Sequence, residues 1–133
     1  MLENLEPKSV FSFFEEIDQI PRGSGNTQKI SDYLAEFAKK RNLFYIQDTL
    51  GNVIIKKDGT AGMEEKEPVI IQGHMDMVAV KELDCEKDME TEGLDLAVQG
   101  DYVYAKGTSL GADDGIAVAY ALALLDSKDI PHP

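Results

Sequence analysis

The feature that most constrains the fold is a short apolar run that ends abruptly in polar residues. Pro68-Val69-Ile70-Ile71-Gln72 is apolar on both faces, a pattern typical of a buried central strand of a sheet. Gly73-His74-Met75-Asp76 follows at once. In open α/β sheets, ligands bind beyond the carboxyl ends of the strands. We therefore expect His74 and Asp76 to lie at a ligand-binding edge.

Two amphipathic helices are predicted before this run. Ser9 can cap the first, which runs to about Gln19, and Asn26 or Thr27 can cap the second, which runs to about Arg41. Their apolar positions have helical spacing and are Val10, Phe13, Phe14 and Ile17 in the first helix, and Ile30, Tyr33, Leu34, Phe37 and Ala38 in the second. These two stripes should supply much of the core.

The remaining segments read as short strands and one more helix. The predicted strands are 44–46, 53–55, 95–98 and 102–104. The last helix, roughly 114–127, is apolar nearly all round, so we expect it to be well buried. Helices before, between and after strands predict an α/β layered domain with a mixed sheet flanked by helices. The chain shows no repeat or linker, so it is one domain or part of one.

Composition and charge exclude several classes of partner. The 133 residues carry a net charge of −12, which disfavours nucleic acid and anionic membranes. The only cysteine is Cys85, so no internal disulfide can form, as expected in a reducing compartment. The amino terminus is not a signal peptide, and the longest apolar run is shorter than the roughly 18 residues of a membrane span. We expect a soluble, cytoplasmic protein.

His74 and Asp76 are candidates for metal chemistry. Residues two apart in an extended segment point to the same side, so the imidazole and the carboxylate can converge. A neutral imidazole is a good zinc ligand, and a carboxylate beside it can fix its tautomer. The alternative stays open, because a lone histidine near a strand end is more often structural and this spacing often arises by chance.

A second candidate is the acidic pair in Gly111-Ala112-Asp113-Asp114-Gly115, just before the last helix. Either acid could simply cap that helix. Two carboxylates crowded beside an apolar helix are, however, costly to bury unpaired, and a divalent cation would offset that cost. A carboxylate that bridges two metals about 3.5–4 Å apart is common in two-metal hydrolases. No phosphate-binding loop and no His-Glu-x-x-His motif is present.

Taken together, the segments 73–78 and 111–115 resemble the paired motifs of the aminoacylase/carboxypeptidase G group of zinc peptidases. Within that group the chain is most similar to the aminoacyl-histidine (Xaa-His, carnosinase-like) dipeptidases, which 20–26 and 50–53 also resemble. The similarity runs along essentially the whole chain. It implies that residues 1–133 are the amino-terminal part of the layered catalytic domain of a co-catalytic zinc peptidase.

The resemblance also implies roles for single residues. His74 would ligate one metal, Asp113 would bridge both, and Asp76 would be catalytic by orienting His74 without binding metal. Asp114 corresponds to a variable position and would not be a ligand, and His132 matches no motif. The cofactors implied are two divalent metal ions, zinc first, with cobalt and manganese as alternatives.

Other parts of the family's site have no match in this sequence. A Glu-Glu pair that supplies the general base, a further acidic ligand, a distant histidine and a lid or dimerisation domain would lie elsewhere in a longer protein. We therefore expect a metal-dependent Xaa-His dipeptidase in full-length form, with a small peptide substrate and a homodimer as an option, and an inactive chain when alone. The alternatives are a related tripeptidase or N-acyl amino acid amidohydrolase, or a non-catalytic domain with a vestigial metal motif.

Overall fold

The computed structural model describes all 133 residues and contains three helices and two β-hairpins. The elements are α1 (Lys8–Asp18), α2 (Gln28–Lys40), β1 (Phe44–Gln47), β2 (Val53–Lys56), β3 (Leu96–Gln99), β4 (Tyr102–Ala105) and α3 (Ala112–Asp126). Strands β1 and β2 pair antiparallel, and so do β3 and β4. The α/β class is confirmed. The strands, however, form two separate two-stranded sheets in place of one mixed sheet.

The core forms where α1 packs against α3 and α2. The predicted stripe of α1 is confirmed, since Val10, Phe13, Phe14 and Ile17 are all buried. In α2, four of the five predicted residues are buried and the fifth, Tyr33, is half-buried. The rings of Phe13 and Phe37 meet edge to face with centroids 5.6 Å apart, a favourable aromatic geometry. Helical periodicity alone was therefore sufficient to find about half of this core, the part that α1 and α2 supply.

The cap predicted for α1 is wrong, and the cap predicted for α2 is correct in position only. Pro7 precedes α1 and Ser9 lies inside its first turn, because proline has a suitable φ of −73° and no N–H to leave unpaired. Thr27 does precede α2, but its side chain accepts no capping hydrogen bond. At the other end of a helix, the carboxyl end of α3, Lys57 Nζ donates to the carbonyl oxygens of Leu124 and Ser127 and so provides hydrogen bonds that the helix itself cannot.

The predicted buried strand at 68–72 is also wrong. Val69, Ile70 and Ile71 are 67%, 88% and 49% exposed, and no strand pairs with them. The backbone N–H of Val69 donates to Pro133 O, and this is the single backbone hydrogen bond of the segment. A central strand needs a partner on each side, and the other strands of this chain pair only within their own hairpins. The apolar pattern indicates a segment suited to burial, but no other part of the 133 residues packs over it.

Helix α3 is less buried than its composition suggested. Gly115, Ala119, Leu122 and Ala123 form the buried side, which packs against α1, whereas Tyr120 is 47% exposed. A helix that is apolar all round needs neighbours all round, and here one face has them. None of the three helices combines the length and the hydropathy that a membrane span requires.

A buried ion pair lies at the end of α1. Arg22 Nη2 lies 2.6 Å from Asp18 Oδ1, and the two side chains are 1% and 0% exposed. Burial raises the pKa of the Asp18 carboxyl from an ordinary 3.8 to about 6, against the lowering effect of Arg22. Asp18 is therefore ionised at neutral pH and neutralises the guanidinium, which is the condition for keeping such a charge inside a protein.

This raised pKa predicts a pH dependence of stability. The folded state holds the Asp18 proton more tightly than the unfolded chain, so the resulting stabilisation is present below about pH 4 and is lost as pH rises towards 6. An Asp18→Asn variant should lack that loss. We expect the difference in thermal-unfolding midpoint between the wild type and this variant to change between pH 4 and pH 6.5 and to stay constant above. A difference that is flat throughout would contradict the prediction.

Candidate metal centre

A backbone pairing positions the segment that carries His74 and Asp76. Ser24 N donates to Met77 O at 3.0 Å, and Met77 N donates to Arg22 O at 3.0 Å, which forms a short parallel bridge. The loop after α1 is thereby attached to the residues that follow the apolar run. Because Met77 is next to Asp76 in the chain, this pairing fixes the backbone position from which the Asp76 side chain extends.

The second acidic segment meets the first at the start of α3. Gly111 precedes the helix with φ 70°, a left-handed conformation that glycine adopts without strain. Asp113 and Asp114 then have non-helical backbone angles, and regular helix follows them. A Cβ on Gly73 would lie 2.9 Å from Asp114 Oδ2, so the missing side chain at Gly73 lets the two segments approach closely.

The three predicted site residues lie together, with Asp76 and Asp113 on either side of the His74 imidazole. Its Nε2 lies 2.9 Å from Asp113 Oδ1, and its Nδ1 lies 3.0 Å from Asp76 Oδ1. The other oxygen of Asp76, Oδ2, accepts a hydrogen bond of 2.5 Å from the hydroxyl of Ser24. The result is a chain of four side chains in which each ring nitrogen of His74 faces one carboxylate.

This arrangement has a definite electrostatic consequence. In a neutral imidazole one nitrogen carries the proton and the other an acceptor lone pair. The carboxylate of Asp76 favours the proton on Nδ1, so the lone pair on Nε2 would point at the Asp113 carboxylate. Two acceptors facing each other at 2.9 Å need a cation between them. In the metal-free chain a proton serves, because the hydrogen bond to Asp113 raises the pKa of His74, whereas the hydrogen bond from Ser24 lowers that of Asp76.

The same arrangement fits a metal ion. Two ligands of a tetrahedral zinc lie roughly 3.4 Å apart when each is about 2.1 Å from the ion, so His74 and Asp113 would need to separate by only about half an ångström. A histidine whose other ring nitrogen bonds a carboxylate is the usual form of a zinc-ligating histidine. The chain contains no group of three or more histidine, cysteine or acidic side chains that could hold a metal ion, so any further protein ligands would come from residues other than these 133.

Two expectations about the acidic pair need correction. The site is open, with the side chains of His74 and Asp113 54% and 96% exposed, so the argument that buried carboxylates require a cation does not hold for Asp113 in this chain. The alternative that an acid caps α3 is wrong as well. The capping position is held by Gly111, and Asp113 reaches away from the helix to His74.

Two surface cavities adjoin this centre. One of about 630 Å³ is lined by His74, Asp76 and Asp114 together with the turn around Asn52. The larger, about 780 Å³, lies next to Ser24 and does not include His74. The smaller cavity contains the converging polar groups and is the candidate substrate-binding cleft.

Sequence reasoning did not find Ser24, Asp18 or Arg22 as parts of this centre. The segment 20–26 contains Arg22 and Ser24, but the sequence distinguishes it only by its resemblance to the dipeptidases. An arginine in a Pro- and Gly-rich loop is ordinarily exposed. The one available signal was Asp18, an acid on the apolar side of α1 four residues before Arg22.

Comparisons with known proteins identify relatives of the chain as a whole. Among curated proteins, the cytosol non-specific dipeptidase of Escherichia coli is 37% identical over 131 residues, which cover 98% of this chain and 27% of that protein. Among solved structures, the aminoacylhistidine dipeptidase of Vibrio alginolyticus matches with a TM-score of 0.95 and 39% identity over 99% of this chain and 27% of that one. A tripeptidase from Staphylococcus aureus shares the fold, with a TM-score of 0.68 and 24% identity over 89% of this chain and 31% of that one.

No protein-family model matches the chain. The chain spans about a quarter of the length of the two dipeptidases it matches. The backbone agreement and the identity together exceed a likeness of fold alone. Over nearly its whole length, therefore, the chain is a homologue of part of the Escherichia coli and Vibrio alginolyticus dipeptidases, and the resemblance seen in its motifs is confirmed.

Proposed function

We propose that the full-length protein is a metal-dependent dipeptidase that hydrolyses Xaa-His-type dipeptides, and that residues 1–133 form the amino-terminal part of its catalytic domain. One observation carries the proposal. His74 presents one ring nitrogen to the Asp113 carboxylate while Asp76 holds the other. The likeness to two dipeptidases supports the reaction class.

The chain's own residues would divide the work as follows. His74 Nε2 and the Asp113 carboxylate would hold a divalent cation, and Asp113 would extend to a second one. Asp76 would keep the His74 proton on Nδ1, and Ser24 would hold Asp76 in place by donating to its outer oxygen. When bound, the two metal ions would acidify a water molecule and polarise the peptide carbonyl. Because the pKa of His74 is raised in the metal-free chain, metal binding would release a proton.

The rest of the catalytic site would lie outside this chain. The chain holds two candidate ligands and no arrangement of three or more. We propose that the base, the further ligands and a lid or dimerisation domain belong to the remainder of the protein. The 133 residues alone would then bind metal weakly and would not turn over substrate.

The substrate, metal and cellular location are proposed at a finer level. Zinc is the first choice of metal, since imidazole with carboxylate suits it, and cobalt or manganese could replace it. A cytosolic location is supported by the name of the Escherichia coli relative. That name also supports a second candidate, a dipeptidase of broad specificity, whereas the Vibrio alginolyticus relative supports one for Xaa-His substrates.

Metal removal tests the reaction class. Hydrolysis of a β-alanyl-histidine or leucyl-histidine substrate by the full-length protein should fall at least about 100-fold after dialysis against a chelator, and zinc or cobalt should restore it. Magnesium at the same concentration is the control and should not restore it, because it prefers all-oxygen ligands. Full activity in the chelated protein would contradict the proposal and favour a mechanism that uses no metal ion.

A substrate panel separates the finer alternatives. We expect kcat/KM to be highest for dipeptides with a carboxyl-terminal histidine. Equal rates for unrelated dipeptides would indicate the broad dipeptidase. Preference for tripeptides or N-acetyl amino acids would indicate the tripeptidase or amidohydrolase alternative.

A further inference from the structure

The side chain of Arg22 lies between the two segments that carry the candidate ligands. It is 1% exposed. Its Nη1 donates to Met75 O at 3.3 Å, and its Nη2 donates to Gly111 O at 2.9 Å. Met75 stands between His74 and Asp76, and Gly111 is two residues before Asp113. One guanidinium therefore bonds the backbone of both segments.

The surrounding glycines leave room for this guanidinium and little more. A Cβ on Gly111 would lie 2.8 Å from Arg22 Nη2, and a Cβ on Gly115 would lie 2.6 Å from it. The start of α3 thus rests directly on the guanidinium. Asp18 accepts from the same nitrogen at 2.6 Å and cancels its charge, so the contact adds no net positive charge next to a cation site.

We propose that Arg22 is a positioning residue that sets the distance between His74 and Asp113, and with it the affinity of the site for its cation. The inference rests on the proposed function. Arginine suits the task because its planar fork directs one nitrogen to the Met75 carbonyl and another to the Gly111 carbonyl and the Asp18 carboxylate, whereas lysine has a single nitrogen. A buried ion pair is by itself weak evidence for a role in stability. The hydrogen bonds of Arg22 to the Met75 and Gly111 carbonyls indicate a role in the site instead.

A charge-free double variant separates positioning from stability. In the full-length protein, Asp18→Leu with Arg22→Met removes both charges, an exchange that is often neutral for stability, while it deletes both carbonyl contacts. Arg41→Met with Asp126→Leu is the matched control, because that pair is equally close at 2.7 Å but joins α2 to the far end of α3. The probe is Co²⁺ alone, followed by its visible absorption in each metal-free protein, with thermal unfolding measured in parallel.

The proposal predicts about 10–100-fold weaker Co²⁺ binding and an altered absorption band in the Asp18/Arg22 variant, at an unfolding midpoint close to that of the control variant. Wild-type affinity and spectrum in this variant would overturn it. If the double variant does not fold, Arg22→Lys decides: at least tenfold weaker Co²⁺ binding supports positioning, and unchanged binding refutes it. His74→Ala is measured alongside, because Co²⁺ binding that ignores His74 would refute the proposed function itself, and the inference with it.

Discussion

Replacing Asp113 by alanine in the full-length protein is expected to lower kcat/KM for dipeptide hydrolysis by at least about 10³-fold. The reason is that loss of a bridging carboxylate removes several kcal/mol of transition-state stabilisation, and each 1.4 kcal/mol is about tenfold in rate. Because the Asp113 side chain is 96% exposed in this chain, the variant should fold normally. The measurement is steady-state hydrolysis with zinc in excess, with circular dichroism to verify folding.

The neighbouring acid provides the control. Asp114→Asn keeps the shape of a side chain that makes no contact with His74, and we expect kcat/KM to stay within about tenfold of the wild type. Equal losses in the two variants would contradict the assignment of the first acid as the ligand. Unchanged activity in Asp113→Ala would contradict the metal centre as a whole.

Truncating Phe14 should produce the largest effect on stability. This side chain is 2% exposed and lies in the cluster that joins α1 to α2 and α3. Phe14→Ala should cost about 3–5 kcal/mol, from lost apolar burial and the cavity left behind. At about 1.4 kcal/mol per tenfold change, amide hydrogens of α1 should exchange at least about 100-fold faster. Hydrogen–deuterium exchange with mass spectrometry on the full-length protein measures this directly.

Tyr102→Ala is the matched aromatic truncation at an exposed position. Tyr102 is 77% exposed at the start of β4, so its loss should cost less than about 1 kcal/mol and leave exchange in α1 unchanged. If both variants accelerated exchange in α1 equally, the core assignment would be wrong.

The parts of the fold that could be predicted are those set by local sequence. Helical spacing identified the buried stripes of α1 and α2, and short apolar segments identified the four strands of the hairpins, because these elements depend on neighbours within a few residues. The cap of α1 failed for a local reason of another kind, since Pro7 can stand before a helix without losing a hydrogen bond. The segment 68–72 failed because apolar spacing reports a preference for burial and does not tell whether partner strands exist.

The candidate site divides in the same way. His74, Asp76 and Asp113 could be singled out because their residue types suit metals and they lie in short segments that contain glycine. Arg22 and Ser24 could not, since their importance arises from contacts with residues 53 and 52 positions away along the chain. Asp18 likewise looks like an ordinary helix acid until the fold buries it against Arg22. Long-range polar contacts of this kind have no periodic signature.

The exposed and unpaired apolar segment 69–71 has a consequence for handling the protein. Its amide and carbonyl groups are almost all free and its side chains are exposed, so it resembles the unprotected edge that recruits strands from other molecules. A protein of residues 1–133 produced on its own should therefore aggregate and become insoluble. A single charged residue in place of Ile70, the most exposed of the three, should be enough to keep it dispersed.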